Sequence, residues 1–265
     1  MAESGRNAQR GERIAKLLTA EQAARAIYFD FEGCVKQAPS LLGWSFVQDD
    51  GAEQFCQQIV EGALASAART VPHTAGAVRC GRSTFHEAVT RLVALAEEQD
   101  RLLVSWAHHD LDMIEQHVAD RELFERARLR FKNALPTAKR WRKSVHPDLE
   151  LKRTWGGRNR LVVYCDLMGI RVPEKYGKNV AAKGIKAMRA AIGTYGSYAQ
   201  ITAEGKAAKD AWKAVLGHNR PDCRNARQVV TRAAEESVEI HRPSVPSPRS
   251  TANRGLCTSD SRAAI

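Results

Sequence analysis

The stretch Ala26-Ile27-Tyr28-Phe29-Asp30-Phe31-Glu32-Gly33 constrains this chain more than any other. Ile, Tyr and Phe suit a pleated, half-buried surface, and side chains alternate along a strand. Ile27, Phe29 and Phe31 then share one face, and Tyr28, Asp30 and Glu32 the other. The first set suits a core. The second places two carboxylates about 7 Å apart along the chain, close enough to share one or two cations. Acids inside an apolar strand are costly unless something positive binds there. The plainer alternative is a strand end with two solvated acids.

The neighbouring sequence extends this strand into a sheet. Leu41 to Val47 reads as a second strand, and Glu53 to Val60 as a third that runs back antiparallel. Gln48-Asp49-Asp50-Gly51 carries the Asp-Gly signal of a type I′ hairpin between them. Residues 61–82 read as an irregular Ala- and Gly-containing connection. A helix follows from Ser83 to Glu98, opened by Ser83-x-x-His86-Glu87, with the acid one place late for a capping box. Residues 101–107 form a short apolar strand that hands over to a helix at His108-His109-Asp110. Arg160 to Leu167 reads as a further strand, and Val180 to Ile192 as a helix that Gly193 stops. Ala203 to Gly217 and Asp222 to Glu239 read as two more helices. Arg13 to Arg25 reads as a short helix. The division is a polar segment and short helix over 1–25, one domain over 26–240, and a disordered Pro-, Ser- and Arg-rich tail over 241–265. There is no internal repeat.

Charge indicates the partner. With a formal charge of +11 and a pI near 9.6, the 265-residue chain suits an acidic partner, most commonly nucleic acid. The bias is local. Between Arg128 and Arg160 there are eleven Lys or Arg against two acids, with Phe131, Trp141 and Trp155 interleaved. Basic side chains neutralise phosphates and aromatics stack on exposed bases. An insert over about 120–160 is therefore expected to contact nucleic acid through Lys139, Arg140, Trp141, Arg142, Lys143, Arg153 and Trp155. The plainer alternative is a solvated helical face and a basic loop. No apolar run reaches the roughly 20 residues of a membrane span, and Met1 to Arg13 is polar, so a cytoplasmic location is expected. The six scattered cysteines form no CxxC pair and are expected to be reduced.

Four acids stand out by position: Asp30 and Glu32 on the first strand, Asp110 at a strand–helix junction, and Asp222 at a helix start. Asp112 competes with Asp110, which the junction favours. Asp166, closing the strand expected at 160–167, suits a cap better than a site. His108 and His109 make a poor metal pair, because adjacent strand residues point apart.

The ordered series resembles the DEDD superfamily of 3′–5′ exonucleases, and most closely the bacterial RecB-associated or ribonuclease-H-like predicted nucleases. Phe29-Asp30-Phe31-Glu32-Gly33 matches the Asp-x-Glu strand. Leu103 to Asp110 matches the strand whose Asp starts a helix, and His218-Asn219-Arg220-Pro221-Asp222 matches the third motif. The resemblance spans about residues 26–238. It implies an α/β fold, a ribonuclease-H-like mixed sheet with a three-stranded antiparallel start, flanked by helices. Two departures stand in the sequence. His218 lies four residues before Asp222, the spacing of the tyrosine branch, and Ser105-Trp106-Ala107 replaces the usual His-Asn-Ala lead.

Phosphodiester cleavage needs a nucleophile and charge stabilisation on the attacking and leaving oxygens, which two divalent ions about 3.5–4 Å apart supply. Mg²⁺ and Mn²⁺ prefer hard oxygen ligands. On this reading Asp30 bridges two such ions, Glu32 and Asp222 complete the water-activating one, and Asp110 helps hold the other. His218 orients or deprotonates the water. The expectation is a metal-dependent 3′–5′ exonuclease acting on DNA or RNA. The alternative is a catalytically degenerate nucleic-acid-binding module on the same fold.

Overall fold

A computed structural model describes residues 17–33, 37–68, 70–73, 76–150, 159–172 and 180–239. Helix α1 (Ala20–Arg25) leads into β1 (Ile27–Glu32), β2 (Leu41–Val47) and β3 (Glu53–Ile59). A 3₁₀ turn (Gly62–Ala67) precedes β4 (Thr70–His73) and β5 (Gly76–Arg82). Then come α2 (Phe85–Glu98), β6 (Leu103–Ser105), α3 (His109–His117), α4 (Arg121–Arg130) and β7 (Phe131–Asn133). Helices α5 (Leu135–Val145), α6 (Leu161–Leu167), α7 (Val180–Tyr195) and α8 (Lys206–Glu239) complete the described chain.

The strands form one mixed seven-stranded sheet in the order β4-β5-β3-β2-β1-β6-β7. Strands β1, β2 and β3 are antiparallel, with Asp30 opposite Gly43 and Trp44 opposite Cys56. Strand β6 joins β1 in parallel, and β7 joins β6 likewise. The α/β class and the antiparallel start agree with the sequence reading.

Alternation along β1 decides what covers each face. Ile27 and Phe29 pack with Leu42, Trp44 and Phe46 of β2 beneath α2, α3 and α4, with Phe31 half-buried at the rim. Tyr28 points the other way, into a cluster with Cys223, Ala226 and Val230 of α8. Fully burying a side chain such as Ile27 is worth about 1.5–3 kcal/mol, so a one-residue slip of β1 would be costly. Helix α8 is 34 residues long and lines the second face. It gives Trp212, Val215 and Leu216 to the cluster beside β2, β3 and α7, and Val229 and Ala233 to the one beside α5 and α6.

Several expectations are corrected. The hairpin turn is not type I′, because Gly51 takes φ +84 while Asp50 is not among the described non-glycine residues with positive φ. Gly51 N–H donates to Gln48 O at 2.9 Å, and Gln48 N–H to Ala52 O at 2.9 Å, which makes a three-residue loop with a glycine bulge. The capping box of α2 starts at Thr84, whose hydroxyl accepts from Glu87 N–H, so the acid falls in its proper place. Residues 61–82 hold a 3₁₀ turn and the β4–β5 hairpin. The strand expected at 160–167 is helix α6, which packs Tyr164, Cys165 and Met168 against α5 and α8. Helix α7 passes through Gly193 and ends at Tyr195. The two last helices are one, continuous across Pro221. Helix α1 starts at Ala20, after its Thr19 cap, and the strand expected at 101–107 covers Leu103–Ser105. The tail 241–265 and the segment 1–13 lie outside the described residues.

Candidate metal centre at the sheet edge

Strand and helix periods together assemble the cluster. Two residues along β1 advance about 6.6 Å, close to the 5.4 Å of one helical turn. The inner face of β1 therefore runs along α8. Tyr28 packs with Ala226 and Val230, Asp30 meets Asn219, and Glu32 meets His218 and Asp222. His218 and Asp222 are four apart on one helix and so share a face.

Asp110 arrives from the other side. Strands β1 and β6 are parallel neighbours, so their C-terminal ends lie side by side and the first turn of α3 sits beside Phe31. Asp110 is buried, and its Oδ1 accepts the Phe31 N–H at 3.4 Å. Asp112 faces outward, with its Oδ1 2.8 Å from Nδ1 of the exposed His108. His109 is exposed as well. The structure thus separates Asp110 from its competitor and leaves the two histidines on the surface. Asp166 is exposed on α6 rather than closing a strand.

Ligand atoms of Glu32, His218 and Asp222 all lie within 4.8 Å of one another. His218 Nε2 stands 3.6 Å from Asp222 Oδ2. Asp30 is held well above the ordinary carboxylate range by desolvation, then by the charges of Glu32, Asp222 and Asp110, against an opposing hydrogen bond from Asn219. Glu32 is raised well above its range by desolvation and by Asp222 and Asp110. Burial pushes Asp110 up to about 6, against the Ser105 hydroxyl, the Phe31 N–H and the His109 charge. Burial lowers the His218 imidazole, which favours its neutral form.

This donor set fits a hard divalent cation. Carboxylate oxygens are the ligands Mg²⁺ and Mn²⁺ prefer, and a cation here relieves both the mutual repulsion and the desolvation that raise these pKa values. Glu32, His218 and Asp222 have ligand atoms close enough together to hold such an ion, and Asp30 and Asp110 lie near enough to share its charge.

Two residues of this region carried no role in the sequence reading. Asn219 is fully buried; its Nδ2 donates to Asp30 Oδ2 at 3.0 Å and to Asp30 O at 3.1 Å. Gln57, also buried, donates from Nε2 to Leu216 O at 3.1 Å and to Asn219 Oδ1 at 3.5 Å. Asn219 stood inside the third motif, but no sequence signal points from it to Asp30.

The basic insert divides. Trp141 is 1% exposed, packs against Tyr164 and Val229, and donates from Nε1 to Glu236. It is a core residue and offers no face to a base, which corrects the expectation. Phe131 likewise packs on the core beside Phe29. Lys143 is exposed and Lys139 and Arg140 are half-buried, while Arg142 Nη1 donates to Leu149 O at 2.7 Å. Arg153 and Trp155 lie outside the described residues. No helix among the described residues is long and apolar enough to cross a membrane. No protein-family model, curated protein or solved structure matches the chain.

Proposed function

We propose that the chain is a divalent-metal-dependent nuclease that hydrolyses phosphodiester bonds of DNA or RNA from the 3′ end. One observation carries the reading. Acids from β1, α3 and α8 converge on one place, where burial and then the charges of neighbouring acids raise the pKa of Asp30 and Glu32. Structural acids are usually neutralised by their neighbours; a cluster that repels itself suits a bound cation. Asp30, Glu32, Asp110 and Asp222 would hold two Mg²⁺ or Mn²⁺ ions. Bound there, such ions would neutralise charge on the attacking and leaving oxygens.

The chain's own groups supply the rest. The neutral His218 imidazole accepts a proton from the attacking water, and Asp222, 3.6 Å from its Nε2, favours the imidazolium that results. The basic helix α5 supports a polynucleotide substrate. It begins beside the acids, because Ala134 N–H donates to Ser105 O at 2.9 Å, and Lys139, Arg140 and Lys143 follow on it. These cations can guide a phosphate backbone toward the acids.

The test is cleavage of end-labelled single-stranded DNA and RNA with Mg²⁺ or Mn²⁺, comparing wild type with Asp30→Ala. Shortening from the 3′ end by wild type alone is expected, and EDTA should abolish it. An Asp30→Ala rate equal to wild type would sink the reading. Binding at low salt without cleavage would instead identify a non-catalytic nucleic-acid-binding module.

A further inference from the structure

A carboxylate surrounded by three others is driven to swing away from them. Asp30 is nevertheless turned inward, so something must hold it. An Arg or Lys would hold it well, but would also neutralise it and compete with any metal ion. An amide donor directs the carboxylate and leaves its charge intact.

Asn219 has that geometry. Its Nδ2 donates both to Asp30 Oδ2 at 3.0 Å and to the main-chain oxygen of the same residue at 3.1 Å. The carboxylate is thereby fixed relative to its own strand. On its other side the amide oxygen of Asn219 accepts from Gln57 Nε2 at 3.5 Å. Gln57 is itself anchored to Leu216 O, 3.1 Å away and nearly one turn earlier in α8. Turning the Asn219 amide over would set its oxygen against the carboxylate, so the Gln57 contact favours the productive orientation.

The space for this side chain comes from the neighbouring strand. Gly43 is the cross-strand partner of Asp30, and a Cβ placed there would lie 1.5 Å from Asn219 Oδ1 and 2.5 Å from its Cγ. Any side chain at position 43 would displace Asn219.

We propose that Asn219 is the positioning residue for Asp30, an uncharged donor that presents this carboxylate to the metal ions from a recess kept clear by Gly43. The inference rests on the metal-dependent reading above. Removing groups that orient metal ligands typically weakens metal affinity or activity about 10–100-fold.

The experiment measures Mn²⁺ affinity by calorimetry and hydrolysis of single-stranded DNA for wild type, Asn219→Ala, Gly43→Ala and the double variant. Asn219→Ala should weaken Mn²⁺ binding at least about 10-fold and lower kcat by a similar factor, with KM for DNA little changed. Gly43→Ala should do the same, and the double variant should be no worse than either, because Gly43 acts only through Asn219. A purely structural Asn219 would lower the melting temperature without moving Mn²⁺ affinity, and Asn219→Ala within twofold of wild type overturns the proposal. If Asn219→Ala does not fold, Gly43→Ala decides by the same criterion. If wild type binds Mn²⁺ but cuts nothing, the nuclease reading falls and affinity alone decides this one. If wild type binds no Mn²⁺, both fall.

Discussion

Two carboxylate sites face the same side of the sheet and are treated in opposite ways. Glu61, just past β3, is met by the Arg189 guanidinium at 2.7 and 2.8 Å and by the Ser40 hydroxyl at 2.6 Å. Burial works against its charge, yet Arg189 and Ser40 hold its carboxyl below the ordinary range. Asp30 and Glu32 sit on β1, two strands away, with other acids as their charged neighbours, and both are raised. Glu61 ties α7 to the end of β3. The β1 pair is placed where burial and like charges disfavour its ionised form, at a cost in stability. A fold able to build the first arrangement has no structural need of the second.

The largest expected difference is in activity. Asp30→Ala should lower the metal-dependent rate by more than about 100-fold, while Glu61→Gln should leave it within a few-fold, both read on the same end-labelled oligonucleotide. Equal losses would erase the distinction between the sites.

Stability should change with opposite signs. Arg189→Met strands a half-buried carboxylate and should destabilise by roughly 1–3 kcal/mol. Glu32→Gln in metal-free buffer removes a repelled charge and should stabilise on the order of 1 kcal/mol. For a domain of this size each kcal/mol is about 2–4 °C of Tm, so thermal melts resolve both. A lower Tm for Glu32→Gln would show that the cluster is not strained by its own charge.

The pH response is the smallest effect. Asp110 titrates near 6 in the native state and near 3.9 when unfolded. Between those values the native state binds more protons, so stability rises as pH falls through 6. Asp110 alone should add roughly 1 kcal/mol to the metal-free protein from pH 7.5 to 5, Asp30 and Glu32 act in the same direction, and Asp110→Asn should reduce the rise. Glu61 works in reverse: its contribution is present above an unfolded value of about 4.3 and is lost as pH falls toward its lowered native pKa. A melting curve that falls steadily from pH 7.5 to 5 would contradict the assignment for Asp110.

Much of the site was legible because local periodicity encodes it. Alternation placed Asp30 and Glu32 on one face of β1, and the strand–helix junction singled out Asp110 over Asp112. The misreadings have physical causes. Leu161-Val162-Val163-Tyr164 favours a strand locally, but packing against α5 and α8 makes it helix, as short apolar runs allow. Pro221 reads as a helix start because proline suits the first turn. Inside a helix it costs about 3 kcal/mol, which burial of Trp212, Val215, Cys223 and Val230 on either side offsets. Trp141 looked like a stacking platform because composition does not say which way a helix faces. Asn219 was missed because its bond to Asp30 closes 189 residues of chain.

That separation has a temporal consequence. At about 5–20 residues per second, a ribosome adds the 189 residues between Asp30 and Asn219 in roughly 10–40 s. The acids of β1 are made early and wait for α8 to bring the rest. Throughout that interval the growing chain is next to messenger RNA without a completed centre. Completion of the candidate centre therefore waits on the last helix and falls late in synthesis.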